Sequence, residues 1–527
     1  MEKIIKWFKR IPWFYILFAI FPLLYLWQVN AAEIVPSVVL RPFLFTLGGM
    51  AILYGILYIF FRNVNKAAYV GMLILLLFFS YGHVYDFFRH SSILSELGRH
   101  RTLIPLYTVV LGFGIWGILS SAKKLKKISR VLNIMCALLV SMSIIQLGYF
   151  YITTAFAARQ SVSSQAQVML ASNRQNLPDV YYIILDTYMR ADALQQEMGF
   201  DNTAFISKLT DMGFYVAPCS RPNYGYTRGS VASALNMNYL PALEAKSGVT
   251  DDNDGFWTII ENNEVRHQLE GIGYKTVAFR SEYPWLEWSN ATVFLGLDRP
   301  SIGSKYIYPF ENMYINSTAG VLWNATDSKL NLSGLFQSPS SSQTTQTPVS
   351  SGISPYLQYH IDLEYFTLHK LSEIPAIAGP KFVYAHFLIP HAPHVFGPGG
   401  EILSDPVYYS NDTEEATGTE ADRQGYIYGV QFINGQIIPV LQNIIAKSKT
   451  PPIIILQGDH GYQDNNPGQY TILNAYYLPG GYKDLYPTIT PVNSFRIILN
   501  DYFGADYPLL PDYNGINSLE TFPDCIP

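Results

Sequence analysis

Long apolar runs fill the first third of the chain and stop after Phe156, beyond which short apolar runs alternate with amphipathic stretches. Five of the early runs, roughly Pro12–Gln28, Val39–Phe61, Ala67–Phe87, Leu103–Ser120 and Val131–Phe156, approach or exceed the length that crosses a bilayer, about 20 apolar residues. Charged connectors separate them, a pattern that buried helices of a soluble protein do not need. The pattern predicts a bundle of five transmembrane helices over residues 1–156, and a polar Gln/Ser/Asn-rich linker over 157–177.

The run Val180–Leu185 opens a different regime. It is continuously apolar, short and β-prone, as a strand buried on both faces is, and it ends on Asp186. Further strands are predicted at 213–217, 274–279, 381–386 and 452–456, the last reading as the final strong strand. Helical spacing is predicted between them over Asn202–Met212, Thr227–Asn236, Phe256–Gly271, Tyr356–Glu373 and Gln424–Ala446. Alternation of this kind predicts an α/β domain over 178–527, a largely parallel sheet sandwiched between helices. Residues 301–331 are aromatic and irregular, and the Ser/Thr/Gln/Pro-rich stretch 337–355 is too polar to build core.

Charge gives the bundle a direction. Eleven basic residues (Lys3, Lys6, Lys9, Arg10, Arg62, Lys66, Lys123, Lys124, Lys126, Lys127 and Arg130) fall on one side, against Arg41, Arg89, Arg99 and Arg101 on the other. Positive-inside asymmetry then places the N-terminus in the cytoplasm and everything after Phe156 outside. The first run is read as a span, because it lacks a small-residue cleavage site and more spans follow. A net charge of −5 with no basic tract outside the connectors excludes a nucleic-acid partner. Hydrophobic residues at 49% with a mean hydropathy of +0.12 agree with a membrane protein. Cys219 and Cys525 fall in the outer domain and are candidates for a disulfide there.

Metal-competent groups gather at the predicted strand ends. Asp186 follows the first strand, His386 and the loop His391-Ala-Pro-His394 a later one, and Gly458-Asp-His-Gly461 the last. In open α/β sheets, ligands bind beyond the carboxyl ends of the strands. Thr227 opens a predicted helix, where it serves as a cap or as a nucleophile; Ser230 and Ser233 are rival hydroxyls inside the same helix. Carboxylate and imidazole donors suit zinc, and an oxygen-richer set manganese or magnesium. A divalent ion beside the Thr227 hydroxyl would make it nucleophilic near neutral pH. His386 reads as packing or hydrogen-bonding within the sheet, His394 as a loop residue or a substrate contact, and Arg228 and Arg280 as structural or phosphate-pairing.

Three segments (VYYIILDTY, NYGYTRGSVASALNMNYLP and GDHG) resemble the alkaline phosphatase/sulfatase superfamily. More narrowly, they resemble its membrane-anchored branch of lipoteichoic acid synthases and phosphoethanolamine transferases, which also place five spans before an outer sulfatase-like domain. The resemblance implies that Asp186, Thr227, Asp459 and His460 hold one divalent ion (manganese, zinc or magnesium), with Thr227 as nucleophile and a covalent phospho-threonine. It implies that His391 acts in catalysis and substrate binding, and that His394 contacts the transferred group. The expected activity is transfer or hydrolysis at a phosphate-type ester of an envelope lipid or glycan; the alternatives are a sulfuric ester hydrolase or a non-catalytic envelope scaffold. Cys219-Ser-Arg-Pro222 departs from the sulfatase Cys-X-Pro-X-Arg pattern, so Cys219 is not read as a formylglycine precursor. Asp186 stands where the nearest transferases carry Glu.

Overall fold

The computed structural model describes residues 12–31, 33–89, 94, 97–120, 125–160, 177–247, 256–300, 304–322, 353–403, 418–462 and 467–512. Most of the expected linker, most of the polar stretch 337–355 and Cys525 lie outside them. The chain divides into two compact units, Met1–Ile152 with Arg299–Tyr359, and Thr153–Asp298 with His360–Pro527.

Five helices build the first unit: α1 (Trp13–Val29), α2 (Pro36–Phe61), α3 (Val64–Arg89), α4 (His100–Ser120) and α5 (Leu125–Gln160). Among the described residues, four of them are long and apolar enough to cross a membrane, while α1 has 17 residues. Side chains such as Phe45, Phe60, Phe113, Trp116 and Ile145 point outward and exposed, the inverse of a water-soluble bundle. Aromatic contacts hold the bundle: Phe14 stacks on Tyr69 at 5.0 Å, and Tyr15 donates to the Met50 carbonyl at 2.8 Å.

Residues Arg299–Tyr359, which a sequence boundary at 178 assigns to the globular domain, cluster with these helices. The reason is a polar clasp. Arg41 on α2 donates from Nε to Glu311 Oε1 at 2.6 Å, from Nη2 to Glu311 Oε2, and from Nη2 to the Tyr306 carbonyl at 2.7 Å. Glu311 belongs to a short helix, Pro309–Asn316, and also caps it by accepting from the Tyr308 amide at 3.0 Å. Thr46 and Tyr314 share a hydrogen bond at 2.8 Å, and the Ala319 amide reaches the Phe78 carbonyl at 2.8 Å. Gly82 permits the approach, since a Cβ there would lie 2.2 Å from the Asn316 carbonyl oxygen.

The second unit is the α/β domain. Its strands are β1 (Val180–Leu185), β2 (Tyr215–Val216), β3 (Lys275–Phe279), β4 (Val293–Leu295), β5 (Lys381–Phe387), β6 (Ile453–Gly458) and β7 (Asn474–Tyr477). They form one sheet in the order β2-β7-β6-β1-β5-β3-β4. The pairs β1–β5, β1–β6, β3–β5 and β3–β4 are parallel, and only β7 runs against its neighbours. β1, β5 and β6 are buried along their whole length, which explains why apolar residues dominate them, with Lys381, His386 and Gln457 as buried exceptions.

Four helices matter for the site: α6 (Thr227–Asn236), α7 (Pro355–Glu373, of this unit from His360 onward), α8 (Glu420–Lys447) and α9 (Pro491–Phe503). α6 has the predicted bounds, and α8 starts at Thr419, whose side chain accepts from the Asp422 amide. The helix predicted over Phe256–Gly271 is two, Phe256–Glu261 and Glu264–Gly271, because the Asn263 side chain caps the second through the Arg266 amide. A strand also follows the one expected to be the last strong strand: β7, four residues long and antiparallel, beyond β6. Core packing centres on Trp288, fully buried and stacked on Tyr384 at 4.5 Å.

Candidate active site

Parallel register assembles the site. β1 lies between β5 and β6, with Ile184 opposite His386 and Leu185 opposite Gly458. Adjacent strands stand about 4.8 Å apart, so Asp186, His386 and Asp459 emerge side by side. One ligand atom from each lies within 4.8 Å of the others, and all three residues are buried.

The turn after β1 is held tightly. Thr187 adopts φ 63, a left-handed conformation that a β-branched residue rarely takes. Its carbonyl accepts from the Tyr426 hydroxyl at 2.8 Å, and its amide donates to Asp459 Oδ1 at 3.0 Å. Asp459 Oδ1 also accepts from the His460 amide at 2.9 Å. On the neighbouring strand end, a Cβ on Gly458 would fall 2.3 Å from the Tyr188 carbonyl oxygen, so only glycine brings Asp459 this close to the β1 turn.

Hydrogen-bond partners decide the imidazole protons. His460 Nδ1 lies 2.8 Å from the Gly461 carbonyl, which can only accept, so Nδ1 carries the hydrogen. In the neutral ring Nε2 then keeps its lone pair. It lies 3.1 Å from Thr227 Oγ1, 3.8 Å from Asp186 Oδ1 and 3.6 Å from Asp459 Oδ2. His386 Nε2 donates to Asp186 Oδ2 at 3.1 Å, and its Nδ1 faces the Tyr384 hydroxyl at 3.3 Å.

Two carboxylate oxygens are left over. Asp186 Oδ1 and Asp459 Oδ2 are buried without a hydrogen-bond partner, a costly state for anionic oxygens unless a cation joins them. With His460 Nε2 and Thr227 Oγ1 they form a convergent N/O donor set, and that set suits a divalent ion. Burial would raise the Asp186 carboxyl, but the neighbouring imidazoles of His391, His386 and His460 and the hydrogen bond from His386 outweigh it and lower it to about 2. Asp186 is therefore a carboxylate throughout the neutral range.

Thr227 is the first residue of α6, with an extended Tyr226 before it and no side-chain cap on the amides of the first turn. The rival hydroxyls look elsewhere. Ser230 Oγ donates to the Tyr224 carbonyl at 2.6 Å, and Ser233 is fully buried.

The histidine loop divides in two. His391 is half-buried, donates from Nδ1 to the Ala392 carbonyl at 2.7 Å, and exerts the largest charge effect on Asp186. His394 is buried, with Nε2 3.1 Å from Asp422 Oδ1 on α8, and Asp422 also accepts from the Tyr462 hydroxyl. Asp422 thus ties the histidine loop to the loop after β6.

Arg280 is engaged structurally, donating to the Leu297 carbonyl and lying 3.8 Å from Glu287, and Arg228 lies over Trp285 at 5.9 Å. Cys219 is buried and disulfide-bonded.

His386 is the residue that sequence reading set aside. A histidine inside a mostly apolar run reads as packing or hydrogen-bonding within the sheet; its place next to the last residue of β5, opposite Ile184, was the available signal.

No family model matches the chain, and no curated protein matches it. Solved structures do. The integral membrane lipooligosaccharide phosphoethanolamine transferase A of Neisseria meningitidis is similar at 12% identity and a TM-score of 0.38, over 92% of this chain and 94% of that one. The C-terminal periplasmic domain of EcEptC from Escherichia coli, in complex with Zn, is similar at 12% identity and 0.37, over 66% and 87%. A putative sulfatase from Bacteroides thetaiotaomicron is similar at 12% identity and 0.38, over 63% and 72%.

Proposed function

We propose that the chain is a membrane-anchored, divalent-ion-dependent enzyme that transfers or hydrolyses a phosphate-type ester through a covalent phospho-threonine at Thr227. One observation carries this reading: the Thr227 hydroxyl and the two orphaned oxygens, Asp186 Oδ1 and Asp459 Oδ2, all converge on His460 Nε2.

Asp186, Asp459, His460 and Thr227 would hold the ion, which supplies Lewis-acid activation of the Thr227 hydroxyl when bound. Thr227 enters as the alkoxide, its hydroxyl proton released to solvent; its Oγ forms the new bond to phosphorus as the ester bond to the leaving oxygen breaks, and a protonated His391 gives its proton to that oxygen. An acceptor hydroxyl or water then gives its proton to His391 and displaces Thr227 Oγ. The first-turn amides of α6 take up the charge of the phosphoryl oxygens. His394, held by Asp422, sets the conformation of the loop carrying His391. The site faces the exterior, and the tether favours an envelope lipid or glycan as substrate.

The test uses full-length protein in detergent with manganese or zinc, assayed on nitrophenyl phosphate, bis-nitrophenyl phosphate and nitrophenyl sulfate. Phosphoester turnover lost in Thr227→Ala, with a phosphate adduct on Thr227 in acid-quenched native protein, is expected. Turnover that survives Thr227→Ala, or sulfate cleavage alone, overturns the reading.

A further inference from the structure

A second set of unsatisfied metal-type groups lies on α7, and it shares no residue with the Asp186 centre. His360 is fully buried, and its Nδ1 sits 2.6 Å from Glu282 Oε1. A carboxylate oxygen accepts, so the ring donates from Nδ1, and in its neutral form it turns a lone pair out through Nε2. His360 Nε2 is buried and has no hydrogen-bond partner. One helical turn on, Glu364 is 4% exposed; its Oε1 accepts from the Leu388 amide at 3.0 Å, and its Oε2 is buried with no partner. Residues four apart on a helix share a face, with Cβ atoms about 6 Å apart.

The cluster is rich in acidic groups as well. Two buried carboxylates, Glu282 and Glu364, act on this imidazole, and the other groups felt here are His391 and His386. Burial, only partly offset by His360 and the Leu388 amide, raises the Glu364 carboxyl to about 7. A proton held there occupies the place that a cation would take.

We propose that His360 Nε2 and Glu364 Oε2 ligate a second divalent cation, with Glu282 orienting the imidazole from behind. A carboxylate on the far nitrogen of a ligating histidine is the usual outer support of such a ligand. The mixed nitrogen and oxygen set suits zinc or manganese, with water or an oxygen of a bound anion filling the remaining positions. The Leu388 amide connects this pair to the end of β5, and His391 acts electrostatically on both Asp186 and His360. The proposal stands whether or not Thr227 is the nucleophile.

Full-length protein in detergent is stripped with EDTA, titrated calorimetrically with zinc or manganese, and its metal content per chain measured by mass spectrometry. The native chain should bind two ions. Glu364→Gln, which keeps the acceptor for the Leu388 amide, and His360→Gln should each bind one fewer while retaining the ion that Asp459→Ala loses. Native protein that binds a single ion, still held by both Glu364→Gln and His360→Gln, overturns the proposal. Glu364→Gln with undiminished metal content, or with every ion lost, overturns it too. Loss of the Asp459-dependent ion reports only on the Asp186 centre, so the two assignments fail separately.

Discussion

Glu364 makes the metal-free protein lose stability as pH rises, and Glu364→Gln should abolish most of that loss. Its carboxyl moves from an ordinary 4.5 to about 7, because burial disfavours the charged form more than His360 and the Leu388 amide favour it. Between those values the folded chain binds a proton that the unfolded chain has released. Stability therefore falls with rising pH across this window, is untouched below it, and carries the whole loss above it. At about 1.4 kcal/mol per tenfold change in proton affinity, the loss is roughly 3 kcal/mol. His360 works in the same direction: burial lowers it, but Glu282 and Glu364 overcome that and raise it, so its proton too is lost as pH rises. The assay is thermal unfolding of full-length protein in detergent with EDTA, from about pH 4.5 to 8. The native midpoint should fall by roughly 6 °C more than that of Glu364→Gln, taking about 2 °C per kcal/mol for a large domain. Parallel profiles would refute the assignment of a buried, proton-holding carboxyl.

Three further outcomes follow from the packing. Gly458→Ala drives a Cβ against the Tyr188 carbonyl and should displace Asp459, lowering metal affinity at least tenfold by calorimetry while the far-ultraviolet spectrum stays native. Lys381→Ala strands Asp179, whose carboxylate lies 2.6 Å from Lys381 Nζ, and should cost about 3–5 kcal/mol in unfolding; Asp179→Asn with Lys381→Met should recover most of it. Arg41→Ala leaves Glu311 buried without its clasp, and limited proteolysis in detergent should then cut within 304–322, where the native chain resists.

Sequence pattern carried furthest where one local rule decides the outcome. The positions of Asp186, Asp459 and His460 at strand ends were legible because short, largely apolar runs stop there, and that of Thr227 because its helix begins there. His386 was not, since its meaning depends on β1–β5 register between residues 200 apart. The break at Asn263 turned on one side-chain cap. β4 and β7 were invisible at three and four residues, too short for a period to register. The docking of Arg299–Tyr359 on the helices rests on an ion pair between residues 270 apart, which no local pattern encodes.

The central place of β1 has a consequence for how the domain comes into being. β1 is the first strand made, yet both of its neighbours come from the far end of the chain: its Asp186 waits 200 residues for His386, and Thr187 waits 272 for Asp459. Closing loops of that length before any reward makes assembly slow. For most of its synthesis the emerging chain carries a six-residue apolar strand with no partner on either side, a segment prone to pair with the wrong chain. On the proposed assignment an ion would bind only after β6 has been laid beside β1, because Asp459 and His460 follow that strand. A truncation anywhere before Gly458 should leave a membrane-tethered chain with an open sheet and no metal centre.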